Sequence, residues 1–235
     1  MLCSLPWRGG AAMAKSDNFQ LEEMSHFFDK RALGYDNHMR GVIRSFDPFY
    51  AALSKPIDRT DLPVRVLDLG CGTGTEIKWI FKKAPNAQIT CVDVSVNMLE
   101  LLRVKYEQWS DRLTIMNASY VEADFEPDRY DYIVSAMTMH HLLRDDKLKL
   151  YKKLHSALKP GGLYIEGDYV ETPDRERRWL EAYKSIIGDN SAHGQYHYDI
   201  PSSIETERCL FEAAGFKDFQ LLWQEETNAV YSVSK

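Results

Sequence analysis

Two carboxylates and three glycines mark where this chain can do chemistry. Val64 to Thr75 reads V-R-V-L-D-L-G-C-G-T-G-T, an apolar, partly β-branched run that predicts a buried strand, followed by Gly70, Gly72 and Gly74 at alternate positions. Backbone without side chains can turn sharply there from strand to helix and let a ligand lie against it. Asp68, two residues before the first glycine, selects the kind of ligand. A carboxylate repels a pyrophosphate and attracts an ammonium or sulfonium group. The G-x-G-x-G spacing also puts Thr75 where a dinucleotide-binding loop carries its third glycine. The second carboxylate, Asp93, ends the next apolar run, Gln88 to Val92. In a doubly wound sheet that position stands beside the first glycine loop, where a carboxylate accepts two hydrogen bonds from a ribose diol. Capping of the following helix is the alternative, and Ser95 is better placed for that.

D-L-G-C-G-T-G at Asp68 to Gly74, V-D-V-S at Val92 to Ser95 and L-K-P-G-G at Leu158 to Gly162 together resemble the signature of class I methyltransferases that use S-adenosylmethionine. The pieces stand in the expected order, and the resemblance runs from about Leu62 to the C-terminus. It implies S-adenosylmethionine as cofactor, with Asp68, Gly70, Cys71, Gly72 and Gly74 around its methionine end and Asp93 on the ribose, Val94 and Met98 belonging to the same binding set. It further implies Asp124 and Phe125 at the adenine, one accepting from the exocyclic amine and the other shielding the ring. Ala136 to Leu142 follows the fourth expected strand and should face the methyl group, so Met137, His140 and His141 come into play. His140, His193 and His197 are the candidates for the acceptor side; His140 acts there as a general base or braces the loop. Two adjacent histidines are not a metal site without further ligands, and no metal is expected.

Within the family, S-I-E-T and A-G-F between Ser203 and Phe216 are similar to proteins of the tRNA wobble-uridine oxyacetate pathway, including carboxy-S-adenosylmethionine synthase. That synthase needs a cation for the extra carboxylate, whereas this chain has no arginine between Trp179 and Glu207. A methyl transfer to the O or N of a small molecule is the expected activity. A tRNA-modifying enzyme, the synthase, a nicotinamide-dependent oxidoreductase and a non-catalytic cofactor binder are the alternatives.

The elements that must hold these residues can be read from periodicity. Helical spacing runs from Phe19 to Leu53, with Leu21, Met24, Phe27 and Phe28 on one face and Gly34 and Gly41 as breaks, and predicts two helices before the sheet. Strands are expected at 88–92, 112–116, 130–135 and 163–168, alternating with helices at 75–83, 97–108 and 145–158. On the last of these helices Lys147, Lys149, Lys152 and Lys153 read as an outer face. Glu166 and Asp168, near the end of the fifth strand, are candidate pocket groups, and 188–201 reads as a substrate-facing loop. A helix at 204–214, stopped by Gly215, precedes a closing strand pair. The expected fold is therefore α/β: a doubly wound, mostly parallel seven-stranded sheet with an antiparallel last strand and an N-terminal helical lid. Residues 1–18 are expected to be an irregular extension, with Met1 to Ala12 ahead of a start at Met13, 19–61 the lid, and 62–235 the S-adenosylmethionine-binding domain.

Bulk properties narrow the partners. With 29 Lys and Arg against 35 Asp and Glu, the chain carries −6 and lacks the basic surface of a strong nucleic-acid binder. A small-molecule acceptor is favoured over tRNA, and a homodimer is left open. The four cysteines form no C-x-x-C pair, and no apolar run approaches the ~20 residues of a membrane span, so a cytoplasmic protein is expected.

Overall fold

The computed structural model describes residues 22–187 and 194–235. The extension expected at 1–18, Leu21 and the acceptor-side candidate His193 lie outside the described residues. The strands are β1 (Arg65–Leu69), β2 (Gln88–Asp93), β3 (Leu113–Asn117), β4 (Tyr130–Ala136), β5 (Leu158–Glu171), β6 (Ser202–Ser203), β7 (Lys217–Glu225) and β8 (Asn228–Ser234). The helices are α1 (Met24–Arg31), α2 (Tyr35–Val42), α3 (Phe46–Ser54), α4 (Ile77–Lys83), α5 (Val96–Lys105), α6 (Arg144–Ala157), α7 (Pro173–Ile187) and α8 (Ile204–Ala214).

The sheet runs β3-β2-β1-β4-β5-β8-β7, with the two-residue β6 paired to the far end of β5. The first five strands are parallel, and β8 is antiparallel to both of its neighbours. A parallel strand is buried on both faces, which is why β1 reads as an almost unbroken apolar run; four of its five residues are buried. Strand order reverses at β1 and β4, and the ends of these two strands open the crevice where ligands of such sheets bind. Among the described residues no helix is long and apolar enough to cross a membrane.

The N-terminal region differs from its expectation. It forms three helices, because Gly41 continues inside α2, and the second break falls at Ile43–Ser45. Gly34 does break the run, with φ 92°. The third helix is no lid: Phe49 and Leu53 are buried in the core, and a Cβ on Gly167 of β5 would lie 2.7 Å from Phe49 Cζ.

The lysine face of α6 is also corrected. Lys149 and Lys152 are exposed, but Lys147 shares the helical register of Leu150, Tyr151 and Leu154 and goes inward with them. Its ammonium pairs with Glu207 of α8 and donates to Ser202 Oγ at 3.1 Å. Lys153 is half-buried and donates to the carbonyls of Tyr120, Val121 and Ala123, so it ties down the loop after β3.

Glu166 belongs to the same buried network and not to a pocket. Its carboxyl accepts from the hydroxyls of Tyr151 at 2.9 Å, Tyr164 at 2.6 Å and Tyr231 at 2.6 Å. Burial, with Glu207 adding repulsion against the pull of Lys147, pushes Glu166 up to about 8. A carboxyl whose folded value lies above its unfolded one stabilises the fold fully at low pH and loses that contribution as pH rises through the folded value. Glu166→Gln keeps the shape without the charge. Between about pH 6 and about pH 9 the thermal midpoint of the parent protein is expected to fall further than that of Glu166→Gln; parallel melting curves across that range would contradict this.

Candidate active site

The three glycines have different tasks. All have positive φ, 61° at Gly70, 48° at Gly72 and 74° at Gly74. A Cβ on Gly70 would sit 2.4 Å from Thr138 Oγ1, and one on Gly74 would sit 2.8 Å from Ile77 Cδ1. These two let the loop pack against the end of β4 and the start of α4. A Cβ on Gly72 would meet no atom within 4 Å, so this is the stretch of backbone a ligand can approach. Gly70→Ala combines the overlap with an unfavourable φ and is expected to cost about 1–3 kcal/mol, read as a lowered thermal midpoint. A midpoint equal to that of the parent protein would show that Thr138 moves aside freely.

The loop is held by Asp93. One carboxylate oxygen accepts from Gly72 N at 2.8 Å and the other from Ser95 N at 2.8 Å. Ser95 Oγ in turn accepts from Met98 N and caps α5, as its position in the sequence implied. Burial pushes Asp93 above the usual carboxylate range, against the pull of those two N–H groups. Each oxygen retains an acceptor position toward a ligand diol.

Asp68 is fully buried, and neither of its oxygens has a hydrogen-bond partner among the described residues. Glu76, at the N-cap of α4, is buried beside it, and its Oε1 is equally unpartnered. Burial and the repulsion between them push Asp68 well above its ordinary value, and burial raises Glu76 as well. A buried polar group without a partner is costly, and an ammonium arriving at this place would relieve both carboxylates. Asp36 of α2 is engaged by Lys105 Nζ at 2.6 Å and by Thr73, so the lysine bordering the loop is already paired. The donor set fits a ligand with a cationic tail and a ribose, and it does not fit a pyrophosphate.

The rest of the expected cofactor set is dispersed. Cys71 and Met98 are buried, with Cys71 in the main core, so their side chains serve packing. Val94 lines a cleft of about 410 Å³ together with Asn117, Ala118, Ser119 and Glu122, opposite Met24 of α1. Asp124 and Phe125 do not line this cleft. The three hydrogen bonds from Lys153 hold their loop down, Asp124 is exposed, and the ammonium lies 5.1 Å from the centre of the Phe125 ring. The polar groups of the cleft include Asn117 and Glu122.

The ends of β4 and β5 meet on the other side of the loop. Met137 has φ 54° and donates its N–H to Gly167 O at 2.8 Å, which turns the chain sharply before the histidines. His140 gives its backbone N–H to one oxygen of Asp168 at 2.8 Å, and its Nδ1 stands 2.5 Å from the other. Burial opposes the imidazolium, but Asp168 and Asp199 outweigh it and push His140 up to about 9. A base must be unprotonated, so the geometry favours bracing and charge pairing over proton abstraction at neutral pH. His197 stacks on Phe27 of α1 with centroids 3.4 Å apart, and burial holds it down to about 3. The chain 195–200 is clamped between the N-terminal segment and β4 by Met24 N to Gln195 O, His197 N to Glu22 O and Ile200 N to His140 O, at 2.7–2.9 Å.

Sequence reading missed Glu76, Asp199, Tyr35 and Asp29 as site residues. Tyr35 on α2 lies close enough to Asp93, Glu76, Asp36 and Asp168 that these carboxylates, after burial, raise its phenol. Asp29 of α1 accepts from Ser95 Oγ at 2.6 Å and from Asn97 N at 3.1 Å, so it docks the N-terminal helix on α5 beside Asp93. Glu76 leaves a signal as the acidic residue immediately after G-T-G-T, and Asp199 falls within the loop expected to face substrate.

A family model described as a methyltransferase domain matches residues 66–162. Carboxy-S-adenosyl-L-methionine synthase of Wolinella succinogenes is 30% identical over 166 residues, covering 66% of this chain and 67% of that protein. Malonyl-[acyl-carrier protein] O-methyltransferase of Priestia megaterium is 35% identical over 58% of this chain, and the chain spans about half of it, 49%. Human N-acetylserotonin methyltransferase, solved with S-adenosylmethionine, shares the fold with a TM-score of 0.63 at 16% identity, over 88% of this chain and 56% of that one. On the relative covered to 67% at 30% identity, and with the methyltransferase-domain match, the chain belongs to the class I S-adenosylmethionine-dependent methyltransferase family.

Proposed function

We propose that this chain transfers the methyl group of S-adenosylmethionine to an oxygen or nitrogen of a small-molecule acceptor. The observation that carries this reading is the combination of Asp93 on the loop with the unpartnered oxygens of Asp68 and the Oε1 of Glu76 buried beside it. When bound, S-adenosylmethionine supplies a methyl carbon activated by a sulfonium. Asp93 accepts the ribose hydroxyls, Asp68 and Glu76 attract the ammonium of the methionine end, and Gly72 gives the backbone approach. Val94 and Asn117 border the adenine cleft.

The residues on the acceptor side align and desolvate more than they react. In-line transfer requires the nucleophile to be held at the carbon opposite sulfur, and alignment alone lowers such barriers substantially. Met137, His140, Tyr169 and His197, gathered from β4, β5 and the chain at 195–200, border that space beneath α1 and α2. The relatives named above include an enzyme of a carrier-bound acid and one that makes carboxy-S-adenosylmethionine. The second activity would require a cation for its carboxylate, whereas the ring of His140 is flanked by the carboxylates Asp168 and Asp199. The net charge of −6 weighs against tRNA.

The test is methyl transfer from labelled S-adenosylmethionine to pools of small acids, amines and phenols, with tRNA as a separate arm. Label in a low-mass product and release of S-adenosylhomocysteine are expected. Label in tRNA alone, or cofactor binding with no turnover on any pool, would overturn the reading.

A further inference from the structure

His140, His141, His197 and Asp199 form a cluster that methyl transfer does not require. Three imidazoles converge on one carboxylate oxygen: Asp199 Oδ1 is 3.5 Å from His140 Nε2, 3.3 Å from His141 Nδ1 and 3.6 Å from His197 Nε2. All three separations exceed the ~2.7–3.2 Å of an N–H···O hydrogen bond. Bonds of ~2.0–2.2 Å to a tetrahedral metal place the ligand atoms ~3.3–3.6 Å from one another, the range found for His140 Nε2 and His197 Nε2 against Asp199 Oδ1.

The outer contacts have the form that metal-binding histidines use. A ligating imidazole almost always gives its other ring N–H to a carboxylate or a backbone carbonyl, which fixes tautomer and orientation. His140 Nδ1 faces Asp168 at 2.5 Å, and His141 Nδ1 faces the Tyr198 carbonyl at 2.9 Å. With those nitrogens carrying their protons, Nε2 of each ring is the ligating nitrogen, on His140 in place of the proton that makes it cationic in the metal-free protein. One ligand atom from each of His140, His141 and Asp199 lies within 4.8 Å of the others. The histidines are 5% and 4% exposed at their side chains, whereas Asp199 is 28% exposed, so the cluster is enclosed on the protein side and accessible from one direction. Ile200 N to His140 O at 2.8 Å holds the two ligand-bearing segments together before any ion arrives.

We propose that His140, His141 and Asp199 bind a divalent transition-metal cation of the zinc class, with His197 adjacent as a fourth donor and Asp168 orienting His140 from behind. Two imidazoles and one carboxylate suit zinc and its neighbours better than magnesium or calcium, which prefer all-oxygen shells. The adjacent pair His140–His141 lacked only a third ligand, and Asp199 supplies it from the chain after α7.

The test uses tag-free full-length protein stripped with a chelator and titrated with Co2+ as a visible reporter, then with Zn2+ in competition. One equivalent of Co2+ per chain is expected, with the intense visible absorption of a four-coordinate site, displaced by Zn2+. Asp199→Asn and His141→Ala are expected to lose binding at least 100-fold, and Asp168→Asn to weaken it about 10–100-fold. Calorimetry with S-adenosylmethionine on the same samples separates a failure of this site from a failure of the cofactor reading and from misfolding. Asp199→Asn is semi-exposed and guards against loss of the fold in the histidine variants. Absence of Co2+ uptake by the stripped parent protein, or equal uptake by Asp199→Asn and His141→Ala, would overturn the proposal.

Discussion

Replacing Asp93 by alanine is expected to raise the dissociation constant for S-adenosylmethionine about tenfold to a hundredfold. Hydrogen bonds to a charged acceptor contribute ~1.5–3 kcal/mol, and tenfold in affinity corresponds to ~1.4 kcal/mol. The effect has two sources here. The ribose loses its acceptors, and Gly72 N and Ser95 N lose the carboxylate that fixes the loop to the start of α5. Asp93→Asn separates them, since an amide oxygen can keep one of the two backbone contacts while the charge is gone. Its affinity is expected to fall between those of the parent and Asp93→Ala. Calorimetry reads both, and unchanged affinity in Asp93→Ala would remove the ribose assignment.

Lys147→Met is expected to destabilise the fold by ~3–5 kcal/mol, because it leaves the buried Glu207 without its cation. In a chain of this size each kcal/mol moves the thermal midpoint by ~2–4 °C, so a drop on the order of 10 °C should appear. Glu207 and Lys147 are both about 2% exposed, and the carboxylate also accepts from Tyr151 OH at 2.8 Å. Removing both charges is a different matter. Well-packed apolar replacements of a buried ion pair are often neutral, so Lys147→Met with Glu207→Leu should recover most of the loss. If the single variant melted with the parent protein, the pair would be more hydrated than its burial indicates.

The parts of this molecule that were legible in the sequence are those encoded locally. The apolar run into Gly70, the carboxylate ending β2, the cap at Ser95 and the stop at Gly215 each depend on neighbours within a few residues, and all stand where periodicity and turn chemistry put them. What escaped depends on partners far along the chain. Lys147 looks like a surface lysine until Glu207, 60 positions away, is folded against it. Asp199 looks like one polar residue among many until the chain after α7 returns to β4. Gly41 reads as a break because its type disfavours helix, but burial of Met39 within α2 and of Ile43 at its end carries the helix through it. The loop carrying Asp124 follows the same rule: Lys153, on a distant helix, decides how it lies.

The proposed activity requires a binding site for a sulfonium nucleoside beneath the glycine loop. Calorimetric titration of the ligand-stripped protein with S-adenosylmethionine, S-adenosylhomocysteine and NADH tests it most directly. Binding of the two sulfur nucleosides at one per chain, with no heat from NADH, is the predicted result. Binding of NADH alone, or of none of the three, would contradict the assignment of Asp68, Glu76 and Asp93 to this cofactor.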